Sequence, residues 1–534
     1  MFKRSVVVSF LLIWSLIFSL FKIIYVMNDE RYVNVGEMQS SMSVIIDTAR
    51  GTIYDRNLVP ITNTTEVYKG SLINTPEILK WIDNSFNYEE RLVIFERIKS
   101  GKPIVIESPT KPEVDGTYFL KCGVYYAEKS IIADHIIGYL DIDKNGVNGI
   151  ERAYNDYLKN TASVKSTYYL DARNNVLNGI DLKIDGALSH DYKKGVVLTL
   201  DSEIQKICEE VVLKNIKTGA VIVQDISSGE IIASVSVPDY SIFEVEKALK
   251  QEGSPLINRS FSSFNVGSVF KLCVAAAALE NGIDESFKYE CTGRIRIGST
   301  IYNCNKHEGH GMVDMHKAIT HSCNTYFINL AMNVGCAELY KMASLFGFGK
   351  SNEVCKGMKT DSGVLPELYD LQKNVGELAN FAFGQGKLLA TPLQINTMVS
   401  AIANGGIYIE PRLVKYLVDS DKEVISQCKF VSSRILKKST SDIIKKLMVD
   451  TVKEGTGTAA QISCGAGGKT ASAETGQISN GKSVTQCWFS GFFPEQNSKY
   501  AITVLVENGV SGSISAAPVF AQIAEKIYII ESLT

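Results

Sequence analysis

An almost uninterrupted apolar run occupies the N-terminus, from Ser5 to Met27, and Lys22 is its only charged residue. About 20 apolar residues are enough to cross a bilayer as a helix. Two basic residues precede the run, and a positive flank on that side favours a cytoplasmic N-terminus. A cleaved secretory signal is the alternative, but no small-residue cleavage pattern follows. We therefore expect residues 1–4 to lie in the cytoplasm and residues 5–27 to form a transmembrane helix that anchors the protein. The rest of the chain is expected outside the cell.

The pattern changes several times between this run and the middle of the chain. Apolar residues over Ser43–Asp47 predict a strand, and those over Tyr88–Lys99 fall at helical spacing. Residues 159–194 are polar and rich in turn residues, which is typical of a boundary. We therefore expect a small α+β domain over 28–165 and a second domain over 166–534.

The rest of the chain is more regular. Val196–Leu200 predicts a strand, and Asp201 or Ser202 is suited to cap the helix that follows. Apolar runs on both sides of Ser228-Gly229 predict a hairpin. Later helices and strands are predicted at 268–281, 322–333, 439–452, 486–493 and 500–507. Strands at both ends with helices between them indicate an α+β fold in which helices cover one sheet.

Composition and charge narrow the classes of function. A chain of 534 residues is longer than one core usually organises, so at least two folded units are expected. Hydrophobic residues make up 45%, enough to bury a core. With 55 basic and 58 acidic residues the net charge is -3. No basic field draws this protein to nucleic acid, so a nucleic-acid partner is not expected.

A candidate nucleophile lies at the start of an apolar stretch, Gly267-Ser268-Val269-Phe270-Lys271. Residues i and i+3 share a helix face, so the Lys271 amine is expected beside the Ser268 hydroxyl. A serine hydroxyl reacts poorly until a neighbouring base takes its proton, and a desolvated lysine has a pKa low enough to be that base. A capping serine next to a solvated lysine would give the same spacing.

Two further segments favour the catalytic interpretation. Ser322-Cys323-Asn324 stands at the start of a predicted helix, and Gly468-Lys469-Thr470-Ala471-Ser472 precedes the last strands. The order Ser-x-x-Lys, Ser-x-Asn and Lys-Thr-Gly is the pattern of serine enzymes that react with penicillin. Each piece is common alone, whereas all three in order predict one acyl-transfer site.

The sequence resembles class B penicillin-binding proteins over nearly its whole length. Beyond the three motifs, the resemblance rests on Arg50-Gly51 to Asn57, His135 to Tyr139, Gly149-Ile150-Glu151, Leu198 to Asp201, Asn258-Arg259, Phe383 to Gly386, Thr391 to Gln394 and Trp488 to Phe492. It implies a pedestal or dimerisation domain of α+β type and a penicillin-binding, β-lactamase-like transpeptidase domain, whose central antiparallel sheet has helices on both sides. No glycosyltransferase domain fits before the pedestal, which argues against the bifunctional class A type.

The same resemblance implies a peptidoglycan D,D-transpeptidase that β-lactams inhibit. Ser268 would attack the penultimate D-Ala carbonyl of a stem peptide, and Lys271 would take its proton. Ser322 would relay a proton to the leaving amine, while Asn324 would hold Lys271 and the substrate amide. A second peptide's amine then resolves the acyl-enzyme.

The strand motif would complete the site. The resemblance implies that Lys469 supplies positive potential, that the hydroxyls of Thr470 and Ser472 hold the substrate carboxylate, and that backbone N–H groups of Ser268 and Ser472 form the oxyanion hole. Ala471 stands where the family usually has Gly. Its methyl group is expected close to the nucleophile helix, where backbone approach matters.

Alternatives and partners follow from the same comparison. A β-lactamase or D,D-carboxypeptidase would resolve the acyl-enzyme with water, but such enzymes usually lack a large pedestal. A non-catalytic scaffold or β-lactam sensor is disfavoured by the intact catalytic set.

The implied partners are stem peptides, β-lactams, the membrane and a membrane-embedded glycosyltransferase of the elongation, division or sporulation machinery. No cofactor is expected for catalysis.

A cluster of cysteines and histidines before Ser322 suggests a metal site. Cys291, Cys304, His307 and His310 supply two thiolates and two imidazoles, a set that suits tetrahedral zinc. Nearby substitutes are His316, His321 and Cys323. A disulfide between Cys291 and Cys304, or plain thiols with surface histidines, fits the same residues. We therefore treat structural zinc as one of these alternatives.

Overall fold

The computed structural model describes residues 2–32, 40–112, 114, 117–127, 131–173, 175–177, 182–186, 193–428, 430–479 and 482–533. The chain forms two compact units. The first comprises residues 1–51, 63–127 and 160–192, and the second comprises 52–62, 128–159 and 193–534. The chain therefore enters each unit more than once.

The described residues form helices and strands along the whole chain. The α-helices are α1 (Phe2–Asn28), α2 (Pro76–Ser85), α3 (Tyr88–Ile98), α4 (Asp134–Ile137), α5 (Gly149–Ala153), α6 (Asn155–Leu158), α7 (Ser202–Asn215), α8 (Val245–Lys250), α9 (Lys271–Glu280), α10 (Met315–Thr320), α11 (Asn324–Val334), α12 (Cys336–Leu345), α13 (Leu368–Lys373), α14 (Val375–Phe381), α15 (Pro392–Ala403), α16 (Lys438–Glu454) and α17 (Ala517–Leu533). The strands are β1 (Ser41–Arg50), β2 (Thr52–Tyr54), β3 (Thr65–Leu72), β4 (Ile104–Ser108), β5 (Tyr118–Val124), β6 (Lys159–Tyr169), β7 (Lys183–Asp185), β8 (Gly195–Leu198), β9 (Gly219–Asp225), β10 (Ile231–Val237), β11 (Phe264–Asn265), β12 (Tyr289–Cys291), β13 (Arg294–Ile297), β14 (Thr300–Asn303), β15 (Gly311–Val313), β16 (Glu353–Cys355), β17 (Met358–Lys359), β18 (Leu389–Ala390), β19 (Ile407–Ile409), β20 (Val414–Val418), β21 (Val424–Gln427), β22 (Ser432–Arg434), β23 (Gly467–Ser479), β24 (Lys482–Phe493) and β25 (Tyr500–Glu507).

Helix α1 contains one span, Lys3–Asn28, that is long and apolar enough to cross a membrane. Its side chains are exposed, as expected of a helix that meets no core of its own protein. Either a membrane anchor or a signal sequence has these properties.

The first unit contains two three-stranded sheets in the orders β1-β6-β7 and β4-β3-β5. Helices α2 and α3 pack near the second sheet, because Ile78, Ile82 and Ile94 share its hydrophobic cluster with Ile106. Helix α3 begins with a capping box between Asn87 and Glu90, which explains why it starts where it does. The predicted small α+β unit is therefore present.

The second unit is built on a five-stranded antiparallel sheet in the order β10-β9-β25-β24-β23. In its centre, Val504 of β25 stands opposite Val221 of β9 and Phe489 of β24. Strands β9 and β10 are buried at every position. Such complete burial means that both faces of the sheet are covered.

Two hydrophobic clusters account for the covering of the sheet. Val504 packs in a cluster with Phe520 of α17, while Leu505, the next residue, packs with residues of α9 and α15. Successive strand residues point to opposite faces, so these helices lie on different sides. The predicted α+β fold with a central antiparallel sheet and helices on both sides is confirmed, and β23 is one of the two edge strands of that sheet.

Candidate active site

A single turn of 3₁₀-helix, Gly267–Phe270, carries the predicted nucleophile and runs directly into α9. We call it the nucleophile turn. Side chains three residues apart eclipse in a 3₁₀-helix, so Ser268 and Lys271 share one face. Ser268 is partly exposed, whereas Gly267, Val269 and Lys271 are buried. The hydroxyl is thus accessible and the amine is not.

Close backbone contacts hold the nucleophile turn in place. Gly267 has a φ of 67°, and its N–H donates to the Gly384 carbonyl at 2.8 Å. A methyl group added at Gly267 would lie 3.3 Å from the Cβ of Ala471 and 3.1 Å from that of Ala473. Glycine is required because this conformation and spacing disfavour a side chain. The Ala471 methyl therefore lies against the nucleophile turn, as the sequence predicted.

The Lys271 amine is fully buried and joins two of the predicted motifs. Its Nζ donates to the Ser322 carbonyl at 2.8 Å, to Ser322 Oγ at 3.1 Å and to Asn324 Oδ1 at 2.7 Å. The Phe327 ring centroid lies 5.7 Å away. An ammonium has three donors, and these contacts use all three. Lys271 is therefore fixed between the nucleophile turn and the Ser-x-Asn segment.

Burial changes the proton affinity of both active-site lysines. It lowers the pKa of Lys271 to about 8, an effect that the Cys323 and Cys304 thiols partly offset. The pKa of Lys469 lies well below its ordinary value, first because of burial and second because of the Lys271 charge. Desolvation disfavours the charged amine. Near neutral pH, part of the Lys271 population is therefore the free amine, which can accept a proton.

The segment between α10 and α11 has a constrained backbone. Ser322 adopts a φ of 56°, in the left-handed region, and its N–H donates to Ile319 O at 3.2 Å. This conformation directs both its carbonyl and its hydroxyl to Lys271. Non-glycine residues in this region are costly and are concentrated at functional sites. Cys323, the next residue, is buried in the hydrophobic core.

Strand β23 brings the third motif to the nucleophile turn. Lys469 is fully buried, and its Nζ donates to the Thr470 carbonyl at 3.1 Å. Side chains alternate along a strand, so Lys469 and Ala471 share one face while Thr470 and Ser472 share the other. Trp488, opposite Ala471, donates from Nε1 to Asn265 O at 2.8 Å and ties the sheet to the residues before the nucleophile turn.

The two hydroxyls predicted to bind substrate have defined partners. Thr470 Oγ1 lies 2.8 Å from Thr456 Oγ1, and Ser472 Oγ accepts from Gly512 N at 3.1 Å. Thr456 is a residue that the sequence did not single out. The signal available was Gly455-Thr456-Gly457, a flexible turn directly after a long amphipathic helix.

A second cluster lies behind the Ser-x-Asn segment. The ligand atoms of Cys291, Cys304, His310 and Cys323 all lie within 4.8 Å of one another. His310 Nδ1 is 3.5 Å from both Cys291 Sγ and Cys304 Sγ, and Cys304 Sγ is 3.8 Å from Cys323 Sγ. Hydrogen bonding between Cys304 and Cys323 is the largest cause that lowers the pKa of the Cys304 thiol. These four residues could hold a metal ion.

The predicted ligand set is corrected at one position. His307 is exposed in the turn after β14, and its carbonyl, not its ring, packs against Gly293. Cys323, named from the sequence only as a substitute, takes its place in the cluster. Cys291 and Cys304, both described, carry free thiols, so the alternative of a disulfide between them is not what the structure contains.

The other two candidate substitutes lie outside the cluster. His316 Nε2 faces Asp450 Oδ2 at 3.2 Å, on the side of α16. His321 stacks on the His310 ring with centroids 6.2 Å apart. Both therefore border the cluster without contributing to it.

Comparison with known proteins agrees with this geometry. Residues 219–525 match the family described as the penicillin binding protein transpeptidase domain. Stage V sporulation protein D of Bacillus subtilis is 27% identical, over 92% of this chain and 80% of its own length. Peptidoglycan D,D-transpeptidase MrdA of Acinetobacter baumannii is 26% identical, over 88% and 80%.

The fold has a close counterpart among solved structures. Penicillin binding protein 3 of Mycobacterium tuberculosis, crystallised with aztreonam, superimposes with a TM-score of 0.68 at 22% identity, covering 92% of this chain and 98% of that one. Over half of the chain matches the family, and the three motifs meet in one cleft. The chain therefore belongs to the penicillin-binding proteins, as a member of the class B transpeptidase family.

Proposed function

We propose that this protein is a peptidoglycan D,D-transpeptidase in which Ser268 forms the acyl-enzyme. The observation that carries the proposal is the buried Lys271 amine, which shares a helix face with Ser268 and is held by Ser322 and Asn324 at 2.7 to 3.1 Å. A lysine with a lowered pKa is suited to remove the serine proton. Family membership supports the reaction class.

The acylation step assigns a role to each wall of the cleft. Lys271 takes the Ser268 proton while Oγ attacks the penultimate D-Ala carbonyl, and backbone N–H groups of Ser268 and Ser472 stabilise the oxyanion. Ser322 passes a proton to the departing D-Ala amine. Asn324 keeps Lys271 in place and binds the substrate amide, consistent with its Oδ1 contact to Nζ at 2.7 Å.

The strand wall supplies recognition of the substrate's carboxylate. Burial and the Lys271 charge lower the pKa of Lys469, so its amine would become the positive group of this wall when the substrate carboxylate arrives and favours the protonated form. The Thr470 and Ser472 hydroxyls donate to the carboxylate. A β-lactam carries a carboxylate at the matching position and is attacked by the same serine. The amine of a second stem peptide then replaces D-Ala and forms the cross-link.

The group that resolves the acyl-enzyme, an amine or water, distinguishes this proposal from its alternatives. Purified protein is incubated with a pentapeptide ending in D-Ala-D-Ala, with and without an amino acceptor, and both D-Ala release and acceptor incorporation are measured. We expect incorporation that is lost in Ser268→Ala and kept in Ser262→Ala, a serine whose hydroxyl bonds Asn258 O. Release without incorporation would favour a carboxypeptidase, and neither product would favour a scaffold or sensor.

We infer that α1 anchors the protein in the cell membrane as a single span, with the N-terminus in the cytoplasm and the catalytic domain outside. The exposed apolar span Lys3–Asn28 supports this. The partner expected at that place is a membrane-embedded glycosyltransferase, which would make the glycan strands to be cross-linked. Washing membranes with high salt should leave the protein bound, whereas a shortened N-terminus in the mature protein would indicate a cleaved signal instead.

We further propose that the Cys/His cluster holds a structural zinc ion. For a Zn–S distance of about 2.3 Å and a Zn–N distance of about 2.05 Å, two sulfurs on a tetrahedral ion lie about 3.8 Å apart. A sulfur and a nitrogen lie about 3.6 Å apart. The separations in the cluster are 3.8 Å for Cys304 to Cys323 and 3.5 Å for both sulfur to His310 pairs. These three separations therefore match tetrahedral zinc, and all four ligand atoms lie within 4.8 Å of one another.

Zinc at this place would stabilise the site and take no part in proton transfer. Cys323 lies between Ser322 and Asn324, so a metal bond to its sulfur would fix both residues that hold Lys271. Metal analysis of protein purified without chelators tests the proposal. One zinc per chain is expected, and a metal content near zero would contradict it.

A further inference from the structure

The turn that follows α16 contacts three different parts of the active site through one residue. Thr456 donates its N–H to the Thr320 carbonyl at 3.0 Å, and its own carbonyl accepts from Ser513 Oγ at 2.7 Å. Its Oγ1 lies 2.8 Å from Thr470 Oγ1. Thr320 ends α10, Thr470 lies on β23, and Ser513 belongs to the short helical segment Gly512–Ala516 before α17. All three polar groups of Thr456 are thus used, each on a different element.

The fit of this turn leaves little room for adjustment. A methyl group added at Gly455 would lie 2.4 Å from the Thr320 carbonyl oxygen, and one at Gly457 would lie 3.1 Å from Thr451 O. Thr320 is almost fully buried and precedes Ser322 by two residues. The position of Thr456 is therefore set by the same backbone that carries the Ser-x-Asn segment.

The hydroxyl pair has only one arrangement that suits a bound carboxylate. A hydroxyl has one proton to donate and two lone pairs with which to accept. To donate to a substrate carboxylate, Thr470 must direct its proton into the cleft and accept its other hydrogen bond. Thr456 is 2.8 Å away and supplies that donor. A chain of hydroxyls of this kind strengthens its terminal hydrogen bond.

We propose that Thr456 is a positioning residue for acyl transfer. Its hydroxyl sets the direction of the Thr470 proton and thereby the recognition of the carboxylate of a peptide or β-lactam. Its backbone groups bind Thr320 and Ser513, and they thereby fix the hydroxyl that contacts Thr470 on β23. The inference rests on the proposed function of Thr470 and goes beyond it, because Thr456 touches no substrate in that proposal.

The test compares two ligands that differ only in the carboxylate. Rates of Ser268 acylation are measured for benzylpenicillin and for its methyl ester, with wild type and with Thr456→Val, which keeps the shape and the backbone contacts but loses the hydroxyl. The ratio of the acid rate to the ester rate is expected to fall about tenfold, the cost of about one hydrogen bond to a charged group. Thr456→Ser should restore the wild-type ratio.

Control variants separate positioning from a general loss of structure. Thr458→Val changes an exposed threonine of the next turn and should keep the wild-type ratio. Thr456→Ala supplies a second hydroxyl-free variant if the valine variant does not fold. Three results would each overturn the inference. The acylation rates for acid and ester could fall equally, or the acid-to-ester ratio could stay unchanged in the valine or alanine variant. The serine and valine variants could also show the same ratio. Failure of wild type to be acylated at all would instead remove the proposed function.

Discussion

The rate of Ser268 acylation is expected to rise with pH, with its midpoint near about pH 8, and to level off above about pH 9. Lys271 acts only as the free amine, and burial lowers its pKa to about 8. About 9% of the amine is then uncharged at pH 7 and about 91% at pH 9, a rise of about tenfold. A solvated lysine would go from about 0.03% to about 3%, a hundredfold rise with no plateau in this range.

Several groups lie near the Lys271 amine, and those that ionise could change the pH profile of acylation. Ser322 and Asn324 do not titrate in this range, whereas Lys469 also has a lowered pKa through burial and the Lys271 charge. The Cys304 and Cys323 thiols lie close enough to raise the pKa of Lys271. A bound metal would keep these thiols deprotonated, so protein with its natural metal content is the appropriate sample.

The assay is the second-order rate of labelling by a fluorescent penicillin between pH 6 and pH 10. Reagent hydrolysis is subtracted, and thermal unfolding at each pH verifies that the protein remains folded. Lys271→Met, which has nearly the same volume and no amine, should label far more slowly and show no inflection near pH 8. A rate in wild type that is flat with pH, or that rises tenfold per unit up to pH 10, would refute the assignment of Lys271 as a base with a lowered pKa.

Four further outcomes follow from the same contacts. Lys271→Met should reduce labelling at pH 8 by about 10²- to 10⁴-fold, measured with the same penicillin, and a loss under tenfold would contradict its role as base. His310→Ala should lose the zinc while His307→Ala, an exposed neighbour, keeps it in metal analysis; loss in both would remove the distinction drawn between them. Gly267→Ala should be destabilised by about 1–2 kcal/mol in urea because its φ is 67°, and should label more slowly, whereas a normal rate would show that the turn tolerates a side chain. Ala471→Gly should cost about 0.5–1 kcal/mol of stability and leave Ser268 reactive, so loss of labelling would show that the site needs this methyl group.

Much of the second unit could be predicted from the sequence because its elements are marked locally. Asp201 caps α7 by accepting from the N–H groups of Glu203 and Ile204, as its residue type suggested. The hairpin of β9 and β10 turns at Ser228-Gly229, where Gly229 has a φ of 71°. Long apolar runs gave β24 and β25. The three candidate motifs were recognisable because each consists of residues close together in the sequence.

What depends on contacts between distant segments could not be read in this way. His307 and His310 both follow Cys304 within one short segment, and His307 is the nearer in sequence. The turn nevertheless leaves His307 in solvent, and Cys323 joins the cluster from beyond α10. The glycines on either side of Thr456 mark only a turn, because its three hydrogen-bond partners come from three other elements. The start of the catalytic helix also differs, since Ser268 lies in a 3₁₀ turn and α9 begins only at Lys271.

The division of the chain between the two compact units likewise has no signature in the local sequence. The polar stretch 159–194 suggested a single change from one domain to the next, whereas each unit in the structure contains several separate segments. Strand β2, for example, pairs in parallel with β8, which lies more than 140 residues later and in the same unit. Linear boundaries at 28–165 and 166–534 therefore stay a prediction.

The most direct test of the account is to locate the covalent adduct. After incubation with benzylpenicillin, intact-mass measurement should show one added penicilloyl group per chain, and peptide mapping should place it on Ser268, beside buried Lys271. The adduct should be absent from Ser268→Ala and persist in wild type long enough to be isolated. An adduct on another residue, or one that survives the Ser268→Ala change, would contradict the claim that this hydroxyl is the nucleophile.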